Sequence, residues 1–414
     1  MAARFKPDAA IPMMRSDIAV VGAGPAGAAA AWRLARAGAR VSIFDASHPR
    51  EKPCGGGLTG RAMALVRELL GPQGVPGVAV RTMTFESGPV GSGCTTTFPI
   101  TPAPSDGHEL AEPPLVVVSR RALDQALVGA AAGAGARLVP ERVRDVEVDA
   151  AGVRLTTTGG IHRADLVLGA DGATSLVRRR FLAPYARAQF SITTGYYARG
   201  VSSTEVIIHS FADPPGYLWS FPRHDHLAIG MCAQGDRIAD VNDLRSATLA
   251  WIAHAGIADR ATLEPYSWPI PSLTYADFGR QPVANDRWML LGDAAGLVDP
   301  LTREGLFFAL RSGHLAADAL EGAADHASDY EARVNAEIYP ELERAAALKE
   351  RFFSSGFSDL LVSALDRSSA VRAIMIDLIA GRQPYGSLRR RLLATFEVGL
   401  AWRLLQLQLR GMLS

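Results

Sequence analysis

Cysteine is scarce in this chain. Only Cys54, Cys94 and Cys232 occur among 414 residues, and none sits in a CxxC or His-rich spacing. A disulfide framework and a structural zinc site are therefore not expected, and a reducing compartment is the default. An excess of one charge is lacking too: 43 Lys and Arg against 42 Asp and Glu leave a net charge of +1. No basic patch interleaves with aromatics, which argues against a nucleic-acid partner. No run reaches the roughly 18 apolar residues that would cross a bilayer. Residues 1–16 lack a continuous apolar stretch and a cleavage signal, so a short disordered leader on a cytoplasmic protein is expected. The histidines are scattered without helical i, i+4 spacing, so neither a metal site nor a Ser–His–Asp triad is expected.

What is present is glycine, forty of them, in a chain that is 48% hydrophobic. That suits a packed α/β protein, and the length predicts two lobes. Ile18 to Val21 reads as a buried parallel strand. Gly22, Gly24 and Gly27 follow as GxGxxG, and an alanine-rich helix runs to about Ala37. Gly22 permits the tight turn, Gly24 lets a pyrophosphate approach the backbone, and Gly27 lets helix and strand pack closely. The N–H groups at the start of that helix would then face the anion. A second strand, Val41 to Phe44, ends at Asp45, whose carboxylate can accept bonds from ribose hydroxyls and favours an unphosphorylated ribose.

Along the chain, residues 17–75 read as the first part of a dinucleotide lobe and 76–114 as an excursion from it. Residues 115–182 and 286–322 return to that lobe. Residues 183–285 carry β-rich runs expected to form an antiparallel sheet over a substrate cavity, and 323–414 are helical. Within the second part, Arg142 to Val148 and Val153 to Thr158 read as a hairpin around Gly152.

Two later glycine turns carry a resemblance. Asp171-Gly172 and Gly292-Asp293, each after an apolar strand, resemble the DG and GD motifs of the para-hydroxybenzoate hydroxylase superfamily. Arg120 matches the arginine that reaches the cofactor there. Lys52 to Leu58 resembles the KPCGG loop of geranylgeranyl reductases, and Tyr217 to Pro222 resembles their YxWxFP motif. Gly292 to Leu306 and Gly381 to Leu388 are similar to further stretches of that family. One position departs: Arg303 stands where glycine is expected, putting an extra cation in a flavin-facing turn.

The resemblance implies a Rossmann-type (GR2-like) FAD-binding lobe, an antiparallel-sheet substrate lobe and a helical C-terminal region. The residues expected to hold FAD are Gly22, Gly24, Pro25, Ala26, Gly27, Asp45, Ala46, Cys54, Gly55, Gly56, Arg120, Val143, Asp171, Gly172, Gly292, Asp293, Pro300, Gly305 and Leu306. The implied activity is reduction of carbon–carbon double bonds in a polyprenyl, geranylgeranyl-type chain. NAD(P)H or ferredoxin would supply electrons transiently, since no second nicotinamide-binding fold is visible. The rivals are a flavin monooxygenase acting on an aromatic or polyketide substrate and a prenyl-lipid carrier or electron-transfer protein that keeps FAD without turnover. A halogenase fits less well, because its WxWxIP string and catalytic lysine are not matched.

Two stretches can also be read directly. On a strand, Tyr217, Trp219 and Phe221 point to one face, with Pro222 ending it. They are expected to line the substrate, against the alternative of ordinary sheet packing; small residues at Ala198, Gly200 and Ser203 would leave room beside them. Cys54 sits in a flexible glycine-rich loop, unlike an embedded structural cysteine, and is the expected catalytic residue, as proton donor or gate. Lys52 is the candidate cation beside its thiol. Near the C-terminus, Arg389 to Phe396 and Trp402 to Arg410 suit either peripheral membrane contact by basic amphipathic helices or packing on the body with arginines reaching outward.

Overall fold

A computed structural model of the protein describes residues 17–100, 112–238 and 240–395. The leader, part of the first excursion and the Trp402–Arg410 stretch lie outside the described residues. The first lobe is built on a six-stranded sheet. Its order is Ala284–Asn285, Trp288–Leu290, Leu166–Gly169, Ile18–Val21, Val41–Phe44 and Arg137–Val139, parallel except at the short first strand. The helix Pro25–Arg36 connects the neighbouring parallel strands Ile18–Val21 and Val41–Phe44. Its alanines have a packing reason: Ala28 to Ala31 are wholly buried against neighbouring helices Arg120–Gly133 and Leu306–Gly322. A Cβ at Gly313 would lie 2.5 Å from the Ala26 carbonyl oxygen, so only small residues permit this crossing.

Two small sheets flank the first. Val143–Asp149, Gly152–Thr157 and Ile161–Ala164 form an antiparallel meander. Gly57–Thr59 and Gly77–Ala79 flank Leu115–Val118 in a second antiparallel three-stranded sheet, so the end of the glycine-rich loop is itself a strand.

The second lobe is a seven-stranded sheet in the order Thr262–Pro271, Phe190–Arg199, His226–Gln234, Gly216–Pro222, Glu205–Phe211, Thr82–Ser87 and Cys94–Pro99. It is antiparallel except where Glu205–Phe211 runs parallel to Thr82–Ser87, the strand contributed by the early excursion. The two faces have different coverings. Leu218, Leu227 and Ile229 pack outward with Trp251 and Ile252 of the helix Val241–Ala255. At the excursion end, Met83, Phe85 and Val206 cluster with Val362, Leu365 and Val371 of the helices Ser355–Arg367 and Ser369–Ile379. The C-terminal helices thereby close the space between the lobes. No helix among the described residues is long and apolar enough to cross a membrane.

Candidate functional site

The first glycine turn closes against the next strand. A Cβ at Gly22, where φ is +107°, would lie 2.3 Å from the Ala170 carbonyl oxygen, and one at Gly27 would lie 2.2 Å from the Gly22 oxygen. Gly24 is different: a Cβ there would meet nothing within 4 Å, leaving open space at the start of a helix that has no side-chain cap and no acid in its first turn. That opening suits a pyrophosphate on the helix N–H groups. Beside it, Asp45 accepts from Ala23 N at 3.1 Å and from Ser47 N and Oγ at 2.8 and 2.7 Å. Burial works against its charge, but the Ser47 and Ala23 bonds prevail and hold the carboxyl below its ordinary range.

The Cys54 loop is clamped by a buried ion pair. Glu51 accepts from Arg120 N at 2.9 Å and Ser119 Oγ at 2.6 Å, at the start of the helix Arg120–Gly133. Arg223, 2% exposed, donates to Glu51 at 3.1 Å, to the Val118 carbonyl, and to the Cys54 carbonyl at 2.9 Å. Burial pushes Glu51 toward protonation; Arg223 and the Ser119 and backbone donors overcome this and lower its pKa. The Cys54 thiol accepts from Gly56 N at 3.3 Å. Its cation is Arg120, not Lys52. Arg120 is paired to Asp124 at 3.0 and 2.9 Å and also reaches the thiol, and these partners outweigh burial and keep it charged. Lys52 instead binds Asp293 at 3.0 Å.

Asp171 serves its own turn. Its carboxylate caps the helix Leu176–Phe181 through Leu176 N at 2.6 Å and Val177 N at 3.3 Å, with a further bond from Ser175 Oγ. Burial raises its pKa in spite of those donors. The loop after Asp293 is held from three sides. Asp299 accepts from Leu301 N, Thr302 N and Tyr385 Oη at 2.8, 3.0 and 2.8 Å. Glu304 accepts from Thr59 Oγ1 at 2.7 Å and pairs with Arg61. Tyr217 Oη donates to the Thr302 carbonyl at 2.7 Å. Between these ties Arg303 adopts φ 62°, the one positive φ of a non-glycine among the described residues.

A single cavity of about 510 Å³ joins these parts. Gly22, Gly24, Pro25, Ala26, Asp45, Ala46, Cys54, Gly55, Gly56, Arg120, Val143, Asp171, Gly172, Asp293, Gly305 and Leu306 all line it. So do Tyr217, Trp219 and Phe221, while Leu218 between them packs on the opposite face of the sheet. Gly27, Gly292, Pro300 and Pro222 do not reach the cavity; Gly27 serves packing, and Gly292 N is tied to Ser312 Oγ at 3.0 Å. Nor do Ala198, Gly200 and Ser203: Ala198 faces the outer cluster and Gly200 lies in a turn. Residues that sequence reasoning missed include Glu51 and Arg223, which clamp the loop, and Thr193, Trp268, Met375 and Ile379, which line the cavity. The open space at Gly24, the Asp45 carboxylate and the length of the lining together fit FAD. Among the described residues no cluster could hold a metal ion.

Comparison with known proteins agrees with that geometry. Residues 15–329 match the FAD binding domain family. The chain is 30% identical to a menaquinone reductase of Mycolicibacterium smegmatis over 76% of its own length and 79% of the relative. It is 32% identical to a geranylgeranyl diphosphate reductase of Rhodobacter capsulatus, over 74% and 75% of the two chains. A geranylgeranyl bacteriochlorophyll reductase-like structure from Thermoplasma acidophilum superposes with a TM-score of 0.73 at 21% identity, over 92% of this chain and 99% of that one, showing a shared fold. By the family match and these identities, the chain is an FAD-dependent oxidoreductase and belongs to the geranylgeranyl reductase family within the para-hydroxybenzoate hydroxylase superfamily.

Proposed function

We propose that this enzyme reduces carbon–carbon double bonds of a polyprenyl chain. The observation that carries the reading is the continuity of the cavity. The stretch lined by Gly24, Asp45 and Asp293 runs without a wall into one lined by Met83, Phe85, Leu115, Phe221 and Ile379. An apolar chain seated there lies beside the cofactor.

Reduced FAD, when bound, supplies hydride to one carbon of the alkene. The other carbon needs a proton, because an isolated alkene is a poor hydride acceptor and must gain cationic character as the hydride arrives. Apolar walls keep water off that centre, and the aromatic strand aligns the chain over it. Cys54 is the proton donor this reading favours. It lines the cavity, and the guanidinium of Arg120 beside it would carry the counter-charge of the thiolate left behind. NAD(P)H or ferredoxin would be the transient electron donor. The family names of the relatives support a prenyl-bearing substrate and leave its head group open.

Anaerobic incubation of dithionite-reduced protein with a polyprenyl substrate tests this. The expected product has gained two hydrogens per reduced bond. A monooxygenase would give nothing without oxygen and a hydroxylated product in air, and that result would sink the proposal. Cys54→Ala should cut reduction at least about tenfold, the low end of proton-transfer effects, with FAD still bound. Unchanged turnover would remove Cys54 from the chemistry.

A further inference from the structure

Four polar groups in the cavity wall are buried and have no hydrogen-bond partner: Arg303 Nη1, Thr193 Oγ1, Trp219 Nε1 and Trp268 Nε1. They belong to one patch. Thr193 pairs across the sheet with Trp268 on one side and Cys232 on the other, Cys232 pairs with Tyr217, and Trp219 stands two residues on from Tyr217 along the same strand face, over Gly230. Arg303 lies against this row: its Nε donates to Ser191 Oγ at 2.9 Å, and its side chain also reaches the Cys232 thiol. It has no carboxylate counter-ion among the described residues. Guanidinium and indole N–H groups only donate, and a threonine hydroxyl can donate as well. A wall of buried donors lacks acceptors, and a partner must bring them.

The backbone adds an independent observation. Arg303 keeps a left-handed φ that glycine would adopt without strain. Strain retained at a cavity-lining position points to a use for the side chain.

We propose that Arg303, Thr193 and the two indoles form a binding site for an acceptor oxygen of the substrate. This rests on the prenyl-reductase reading and adds to it which residues of the cavity take an oxygen of the substrate's head group. Such an oxygen could belong to a ring carbonyl or to an acidic head group, and both present the same acceptor to these donors.

The test is equilibrium binding to FAD-loaded, oxidised protein, where no turnover occurs. The probes share one geranylgeranyl chain and end in a naphthoquinone, in a diphosphate or in plain hydrocarbon, with indole fluorescence and flavin absorbance as readouts. At least one oxygenated probe should bind about tenfold or more tightly than the hydrocarbon, the worth of a charge-assisted hydrogen bond. The arm that shows the contrast identifies the head group. Arg303→Gly should erase the contrast, and Thr193→Val should reduce it. Arg303→Lys and Thr193→Val carry the test if Arg303→Gly loses its fold by circular dichroism. Equal binding of all three probes overturns this inference and leaves the prenyl reading standing. Binding of none overturns both. Loss of FAD from Arg303→Gly with the contrast intact overturns it as well, since the donors would then serve the cofactor.

Discussion

Arg303 and Gly22 both hold positive φ, and only one of them is free to do so. For a residue with a Cβ the left-handed region costs about 1 kcal/mol, and the buried, unpartnered Nη1 of the half-buried Arg303 adds to that. Ligand-free Arg303→Gly is therefore expected to melt at or above the temperature of the parent protein, by calorimetry, even as it loses its oxygen-bearing ligand. A lower melting temperature would mean that the arginine is structural. The sequence marks Arg303 as a departure from the glycine pattern. It does not show the orphan Nη1, because the partner Ser191 lies 112 residues away on another lobe.

At the scale of the element, the glycine-rich loop owes its position to Glu51 and Arg223. Arg223 is buried, so removing Glu51 leaves a charge unpaired and should cost about 3 kcal/mol. Glu51 has a folded-state pKa below its ordinary value of 4.5. Its contribution is thus fully present above about pH 4.5 and is lost as pH falls through the lowered value. Limited proteolysis of the loop should be slow at neutral pH and quicken as pH falls through the lowered pKa of Glu51, whereas Glu51→Gln should be cleaved quickly throughout and flatten that profile. The KPCGG string was legible as a loop because its composition says so. Its clamp was not, since Glu51 and Arg223 are 172 residues apart and nothing local in either segment announces the pair. For the same reason Lys52, next but one to Cys54, looked like the thiol's cation, when the fold brings Arg120 there instead.

Across the whole molecule, the strand–turn–helix units were readable wherever a glycine pattern met an apolar period, and they place most of the expected cofactor residues on one cavity. The seating of the C-terminal region was less legible, because helices docked on a sheet leave no spacing rule in the chain. Among the described residues that region ties to the cofactor loop through the hydrogen bond of Tyr385 Oη to Asp299 at 2.8 Å, beside the packing of Leu301 on Ala345 and Phe353. Tyr385→Phe should preserve the fold but weaken FAD binding roughly three- to tenfold, as a single buried bond to a carboxylate would. Equilibrium dialysis of the released flavin measures it. An unchanged dissociation constant would show that the loop stands without its strut.

The one parallel pairing in the large sheet also orders events during synthesis. Thr84 and Glu205, bonded across it, are 121 residues apart in the chain. The hairpin of Thr82–Ser87 and Cys94–Pro99 therefore leaves the ribosome with Met83, Phe85 and Phe98 bare. It must wait for a strand made much later and for helices made later still. A nascent chain halted before Glu205 should expose a sticky edge to chaperones, and one halted well beyond Ile379 should not.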